Sequence, residues 1–403
     1  MADSNPRLTV NPQELKWEFE EGQQVLRVTN STNSRFAIKV LEMLAKGNEQ
    51  PAASKNGTED SGVELSKEEA EVYDRQIRVW GFEAQQKLHA ASGLLCGLSG
   101  VGAEIAKNLM LCGLRSLTLM DGQTVVEDDL ESNFLLERDS VGQNRAKASS
   151  AKAQALNPMV KLEVLESDLN NVEADFVSRF TVVVLCDQSY DDVLLWNERC
   201  RKQNVGFIAC SVFGWMGYSF FDFNDHLFLS AVQKAQAMCD EDGSGTSKVS
   251  DAIDLEVETQ FTKKKLQYPR FEEAFNVDWS KKQLIRKSKR LIPCSYFPLK
   301  AMLRAQKENM LTDDEDKNVG ILTELWKEEV SLANHEVEKQ TVQPDKFDYF
   351  FGPQLSPVCA IVGGLAGQEA IKAMSENEFP LRNVFIYSAL DSTGTVCHFP
   401  PPQ

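Results

Sequence analysis

Three closely spaced glycines, Gly97, Gly100 and Gly102, are the first residues in this chain whose spacing suggests chemistry. They separate an apolar run, GLLCGL, from the helical pattern AEIAKNLMLCG, and a second apolar run, SLTLMD, ends in Asp121. Glycine permits positive φ and lets backbone N–H groups approach a phosphate at a helix N-terminus, while an acid in the position of Asp121 meets a ribose. The pattern predicts a Rossmann-like half. The glycine loop by itself fits nucleotide binding and a tight turn equally well.

The elements around this loop repeat the alternation of strand and helix. Apolar runs typical of buried strands recur further along, and the chain closes with a long apolar helix that has small residues on one face and then a hairpin. The strand patterns are VKLEVLESDL, FTVVVLCD and NVGFIACSVFG, the closing helix is SPVCAIVGGLAGQEAIKAMS, and the hairpin is NVFIYSALDSTGTVCHF. We therefore expect an α/β fold.

Changes in composition divide the chain into five predicted segments. Residues 65–230 carry the Rossmann-like pattern, 231–343 read as an inserted helical domain, and 344–403 return to the first fold. Before them, 1–45 read as a short β-type extension and 46–64 as a polar linker. The extension, with its runs LKWEF, QQVLRVTN and RFAIKV, resembles the start of a major sperm protein domain and stops near the middle of that fold.

Composition excludes several classes of function. The net charge of −17 disfavours nonspecific binding to nucleic acid or to anionic membranes, and no apolar run reaches the roughly 18 residues of a membrane-spanning helix. The nine cysteines include no C-x-x-C pair, so we expect no structural metal and reduced thiols. The basic runs KKK and RKSKR fit nuclear import signals and solvated helix faces equally well.

Five motifs in order resemble the activating enzymes of ubiquitin-like proteins, and among them the regulatory, non-thioester subunits of heterodimeric SUMO-activating enzymes. The motifs are YDRQIRVWG, GLSGVGAEIAKNLMLCG, LNPMV, SVFGWMGYSFFD and SPVCAIVGGLAGQE, and the resemblance covers about residues 65–403. It implies a ThiF/MoeB-type adenylation fold and a catalytic partner subunit that binds ATP and Mg²⁺. That partner would adenylate the C-terminus of SUMO and take it onto its own cysteine. The resemblance also implies a location in the nucleus, with the cytoplasm as a second expected location.

The adenylation site of the chain itself departs from the family pattern. Catalytic members have a run like IDLDTIDVSNLNRQF, and this chain has MDGQTVVEDDLESNF in its place. Asp121 is kept. Asp129 replaces an asparagine of the family pattern, and Ser132 replaces an arginine that binds phosphate. Arg145 stands for a phosphate-binding lysine, and Asp187 matches the acid that would hold magnesium. Each lost charge-assisted contact costs about 1.5–3 kcal/mol, so two losses weaken nucleotide use roughly 10²- to 10⁴-fold. We expect a vestigial pocket whose glycines and Asp121 serve turns and packing.

Arg75, in YDRQIRVWG, is the residue for which the resemblance implies a direct role. In the family the first arginine of this motif reaches across the dimer to the ATP of the partner, where a permanent positive charge neutralises phosphate charge. The residues alone favour a different interpretation, in which Arg75 and Arg78 are solvated or ion-paired helix charges and Asp74 is an available partner. Cys294 lacks the Cys-Thr dipeptide of a thioester site and has no basic neighbour, so we expect an incidental thiol.

Three other functions remain open at this point. A regulatory chain for a different ubiquitin-like modifier would share the architecture. A self-sufficient adenylating homodimer of the bacterial sulfur-carrier type would need the arginine and lysine ligands that Ser132 and Arg145 replace. In a pure interaction scaffold, Arg75 would be inert.

Overall fold

The structure is a computed structural model that describes residues 15–20, 23–28, 66–235, 257–281, 284 and 289–401. Close contacts divide the chain into two compact units. The first comprises Met1–Gln86, Leu227–Lys265 and Glu376–Phe379, and the second comprises Lys87–His226, Leu266–Ser375 and Pro380–Gln403. Among the described helices, none combines the length and the apolar character that crossing a bilayer requires.

The described elements alternate between strand and helix through most of the chain. The strands are β1 (Leu15–Glu20), β2 (Gln23–Val28), β3 (Ser92–Cys96), β4 (Ser116–Met120), β5 (Lys161–Leu165), β6 (Val182–Cys186), β7 (Gly206–Phe213), β8 (Met216–Asp222), β9 (Asp225–Ala235), β10 (Val257–Gln267), β11 (Val384–Ser388) and β12 (Thr393–Cys397). The helices are α1 (Lys67–Val72), α2 (Asp74–Trp80), α3 (Phe82–Ala90), α4 (Gly100–Leu111), α5 (Asp129–Ser132), α6 (Arg145–Leu156), α7 (Tyr190–Lys202), α8 (Phe271–Phe275), α9 (Tyr296–Lys307), α10 (Glu315–Leu332) and α11 (Ser356–Ser375).

The second unit is built on an eight-stranded sheet with the order β12-β11-β8-β7-β6-β3-β4-β5. From β7 to β5 the neighbouring strands are parallel, whereas β8, β11 and β12 run antiparallel to their neighbours. Every residue of β3 and β6 is buried, as expected for central parallel strands covered on both faces. The predicted strands and the closing hairpin are confirmed, and with them the mixed α/β fold.

The long helix α11 packs closely against α4, the helix that follows the glycine loop. A Cβ on Gly363 would lie 2.8 Å from Glu104 Cβ, and one on Gly367 would lie 2.7 Å from Asn108 Cβ. The small residues of α11 therefore let the two helices approach within the chain. A Cβ on Gly364, in the same helix, would meet no atom within 4 Å.

The helical segment after β10 shares its core with the sheet. Phe271 and Phe275 of α8 pack edge-on or tilted against Phe220 of β8, with ring centroids 5.2 and 6.3 Å apart, and Trp326 of α10 belongs to the same buried cluster. The stretch Leu266–Ser375, which includes residue 343, belongs to the second unit. The aromatic rings of α8 thus pack against the sheet, and Trp326 packs against Phe347 within the same buried cluster.

The first unit holds a four-stranded sheet with the order β1-β2-β10-β9. Val28 of β2 pairs with Thr259 of β10, so the described N-terminal strands join strands from residues 227–265. The runs LKWEF and QQVLRV are confirmed as strands, but the rest of 1–45 and all of the linker 46–64 lie outside the described residues. The resemblance to a major sperm protein domain and the domain boundaries stay predictions.

Two substitutions in α11 test the close approach of α11 to α4. Gly367→Ala should lower the free energy of unfolding by about 1–3 kcal/mol, because the new Cβ forces Asn108 to shift. Gly364→Ala is the matched control and should leave it unchanged or raise it by up to about 1 kcal/mol through helix propensity. Urea unfolding of both variants measures this, and equal effects would contradict the packing role of Gly367.

Candidate functional site: a small cleft and an exposed arginine

The glycine loop between β3 and α4 is fixed by its own packing. Gly97 has a φ of +90° and donates its N–H to the carbonyl oxygen of Met120 at 2.9 Å. A Cβ on Gly97 would lie 2.2 Å from the carbonyl oxygen of Cys186, and one on Gly102 would lie 2.1 Å from the carbonyl oxygen of Gly97. Both positions therefore require glycine for the turn alone, whether or not a phosphate binds.

Gly100, the first residue of α4, is covered by side chains of the chain itself. A Cβ on Gly100 would lie 2.4 Å from Ser132 Oγ and 2.9 Å from Cys359 Sγ. Ser132 is buried and neutral, at the position where the family pattern has an arginine. The space beside the N-terminus of α4 is thus filled by small uncharged groups.

Arg145, at the start of α6, is held between two buried acids. Its Nε donates to Asp121 Oδ2 at 2.8 Å, and its Nη1 donates to Asp129 Oδ1 at 3.2 Å. Asp121 also accepts hydrogen bonds from the backbone N–H groups of Leu98 and Gln123, at 2.6 and 2.9 Å. The carboxylate that would meet a ribose is therefore occupied by the guanidinium and by the loop.

This ion triad changes the electrostatics of the cleft. Burial lowers the pKa of Arg145, but the hydrogen bonds and charges of Asp121 and Asp129 outweigh it and raise the pKa above its ordinary value. The cation that would grip a phosphate is thereby neutralised inside the protein. Because two carboxylates face one guanidinium, the remaining charge is negative and opposes a triphosphate.

Asp187 follows β6 in a left-handed conformation with a φ of +52°. Its carboxylate accepts hydrogen bonds from Ser99 Oγ, from Val212 N at 2.9 Å and from Gln354 Nε2 at 2.8 Å. Although part of the residue is open to solvent, desolvation by the atoms packed around the carboxyl raises its pKa, and the three hydrogen bonds oppose this. Arg145 also opposes it. In the part of the chain that the structure describes, no group of three His, Cys, Asp or Glu side chains is arranged to hold a metal ion.

A small cleft remains beside the loop. Its cavity volume is about 40 Å³, and its lining includes Asp121, Gln123 and Asp168. Drug-sized ligands occupy pockets of roughly 300–1,000 Å³, so this cleft is small for a nucleotide. Within the lining, Asp168 packs closely against Gly122: a Cβ on Gly122 would lie 2.0 Å from Asp168 Oδ1. The residues present therefore do not fit ATP.

Sequence reasoning missed several of these partners. Asp168, Gln354 and Asn133 line or brace the cleft, and Asn133 Nδ2 donates to the carbonyl oxygen of Leu98 at 2.7 Å. Only the position of Asn133, next to Ser132 in the departing motif, offered a signal. Asp168 and Gln354 come from distant loops without a motif.

Arg75 lies on α2, in the first unit, and its side chain is exposed. Asp74, the alternative partner for both arginines, pairs with Arg78, whose Nη2 lies 2.9 Å from Asp74 Oδ2. Arg75 forms no ion pair or hydrogen bond with any described side chain. Of the two arginines in the motif, Arg75 is thus the one whose charge is uncommitted.

The mostly parallel sheet and the glycine loop define the class of Rossmann-like adenylation folds. The model of the ThiF family matches residues 73–403, and the chain belongs to that family. The chain is 41% identical over 345 residues to the SUMO-activating enzyme subunit aos-1 of Caenorhabditis elegans, covering 84% of this chain and 100% of that protein. It is 36% identical over 344 residues to SUMO-activating enzyme subunit 1 of Bos taurus and 35% identical over 348 residues to that of Homo sapiens. Both matches cover 84% of this chain and 97% of the relative. The predicted adenylation fold is confirmed, and the family implies the use of ATP.

Removal of the cation tests the ion triad. Arg145→Met should lower the free energy of unfolding by about 3–5 kcal/mol, because it leaves Asp121 and Asp129 buried without their partner. Arg138→Met, at an exposed position, is the control and should change it by no more than about 0.5 kcal/mol. Denaturant unfolding measures both, and a silent Arg145→Met would show that the triad contributes nothing to the fold.

Proposed function

We propose that this chain is the regulatory, non-thioester subunit of a heterodimeric SUMO-activating enzyme and that it completes the ATP site of its catalytic partner through Arg75. The relatives named SUMO-activating enzyme subunit 1 and aos-1, together with the ThiF family, support the first part. In this proposal ATP and Mg²⁺ are bound mainly by the partner subunit. That partner adenylates the C-terminus of SUMO and receives it on a cysteine.

The observation that carries the proposal is the unequal state of two arginines. Arg145, in the cleft of the chain itself, is neutralised by two acids, whereas Arg75 is exposed and unpaired among the described residues. A chain whose own cation is committed to its fold has no charge to offer a nucleotide there. The charge that remains available lies on α2, and a partner subunit can use it.

Arg75 suits such a role chemically. A guanidinium stays charged at any physiological pH and presents several N–H donors in a planar fork that matches phosphate oxygens. Placed against a triphosphate in a site shielded from water, it stabilises the charge that develops as adenylate and pyrophosphate separate. Because Arg75 has no ion-pair partner among the residues that the structure describes, it can bind phosphate without the cost of breaking such a pair.

The alternatives fit less well. A regulatory chain for a different modifier would share the architecture, but the relatives reported above carry SUMO in their names. A self-sufficient homodimer would need a working cleft, and the ion triad, Ser132 and the small volume oppose one.

The nuclear location stays a prediction. Of the basic runs, Lys263, Lys264 and Lys265 are exposed, and RKSKR lies largely outside the described residues.

The helix pair α4 and α11 is the proposed face for the partner. Leu111 on α4, Ile361 on α11 and Phe134 after α5 are large apolar side chains with 43, 39 and 43% exposure. The close approach of the two helices makes this a rigid platform. Exposed apolar side chains on rigid helices are typical of subunit interfaces.

Substitution of Arg75 tests the proposal directly. In the heterodimer, Arg75→Ala should slow SUMO-dependent ATP–pyrophosphate exchange about 10- to 10³-fold, because the charge on the phosphates of the transition state loses a partner. The complex should still form, as size-exclusion chromatography would show. Arg78→Ala, the matched control on the same helix, should change the exchange rate by about threefold at most, since its charge is shared with Asp74.

Three results would count against the proposal. Loss of the heterodimer in Arg75→Ala would make Arg75 a structural residue. An unchanged exchange rate would make the chain a scaffold with an inert arginine. Exchange by this chain without any partner would show that the cleft beside Asp121 works, contrary to its charge and volume.

A charge on α11 tests the proposed face. Ile361→Asp should weaken association with the catalytic subunit at least about tenfold, because a buried interfacial charge without a partner is costly. Leu195→Asp, at an exposed leucine on α7, is the control and should not alter association. Isothermal titration calorimetry of each variant with the catalytic subunit measures the two affinities. Equal affinities would place the interface elsewhere.

A further inference from the structure

We propose that Asn377 is a positioning residue for Arg75: its side-chain amide holds the C-terminal end of α2 and thereby sets the direction in which Arg75 points. The inference rests on the proposed function of Arg75. Asn377 belongs to the segment Glu376–Phe379, which follows α11 in sequence but lies in the first unit together with α2.

The helix α2 cannot hold its own orientation through a core. It has seven residues, and none of them is buried. Helices this short are unstable in isolation, because the cost of nucleation exceeds the gain from a few hydrogen bonds. The contacts at the ends of the helix therefore contribute to the direction of Arg75.

Asn377 supplies such a contact at the C-terminal end. Its Nδ2 donates to the carbonyl oxygen of Trp80, the last residue of α2, at 2.9 Å. This carbonyl is one of the four at the end of a helix that have no partner within the helix. The indole Nε1 of the same Trp80 donates to Gln85 Oε1 at 3.0 Å, and Gly81, with a φ of +91°, turns the chain between them. Trp80 is thus held at its backbone and at its ring.

The segment that carries Asn377 is itself anchored. The ring of Phe379 packs edge-on against Phe228 of β9, with centroids 5.4 Å apart and an interplanar angle of 76°. Phe228 is buried, whereas Phe379 is about half exposed. A continuous set of contacts therefore leads from β9 through Phe379 and Asn377 to the end of α2, which carries Arg75 on its first turn.

The experiment is a double-mutant cycle in the full-length heterodimer, with ATP–pyrophosphate exchange as the readout. Asn377→Ala should lower the rate at saturating ATP and SUMO about 3- to 10-fold, because α2 then samples directions in which Arg75 misses its target. In the background of Arg75→Ala, the same substitution should have no further effect. Asn377→Gln, which keeps the amide donor, should recover part of the rate.

The outcomes separate this inference from the proposed function. If Arg75→Ala leaves the rate unchanged, the proposed function fails. If Arg75→Ala slows exchange but Asn377→Ala does not, or if the two effects multiply, Asn377 does not act through Arg75 and the inference fails alone. A fall in the melting temperature of Asn377→Ala equal to that of Asn377→Gln, with similar loss of rate in both, would make the residue merely structural.

Discussion

The ion triad of Arg145 with Asp121 and Asp129 is the interaction on which the character of this protein depends. It joins the end of β4, the helix α5 and the start of α6, which are the elements that would surround a nucleotide. Because Asp121 also receives the N–H of Leu98, the glycine loop is tied to the same group. The triad thus stabilises the loop, and the same contacts occupy the side chains of Asp121 and Arg145 that would otherwise face a ligand. What persists is an adenylation fold whose strands, turn and helix are complete.

In the proposed function the fold serves an interface with a partner subunit, and the packing of α4 against α11 suits that role. The glycines of α11 that permit this packing, Gly363 and Gly367, form internal contacts with α4, so they are required by the chain alone. The outer surface of the pair carries Leu111 and Ile361 exposed. A rigid apolar surface of this kind is typical of an interface with a permanent partner subunit, and it belongs to the same unit as the sheet.

Local patterns predicted the fold well, and distant contacts could not be predicted. The apolar runs predicted the strands of the eight-stranded sheet, and the small residues of the closing helix predicted α11. The partners of Arg145 lie 24 and 16 residues away, and Asn377 lies 297 residues from Trp80, so no periodicity reveals them. The amphipathic pattern of the segment after β10 indicated helices, but it did not show that they bury against the existing sheet.

The choice between the two arginines of α2 depends on small energies. Arg75 and Arg78 are three residues apart, so both are within reach of one side of the helix. The pair of Arg78 with Asp74 is exposed, and such pairs contribute about 0–1 kcal/mol, so Asp74 restrains Arg78 only weakly. The ion pair alone therefore favours Arg75 over Arg78 as a phosphate ligand by roughly fivefold at most. In the proposed function, a larger preference has to come from geometry, so the orientation of α2 would matter as much as the charge that it carries.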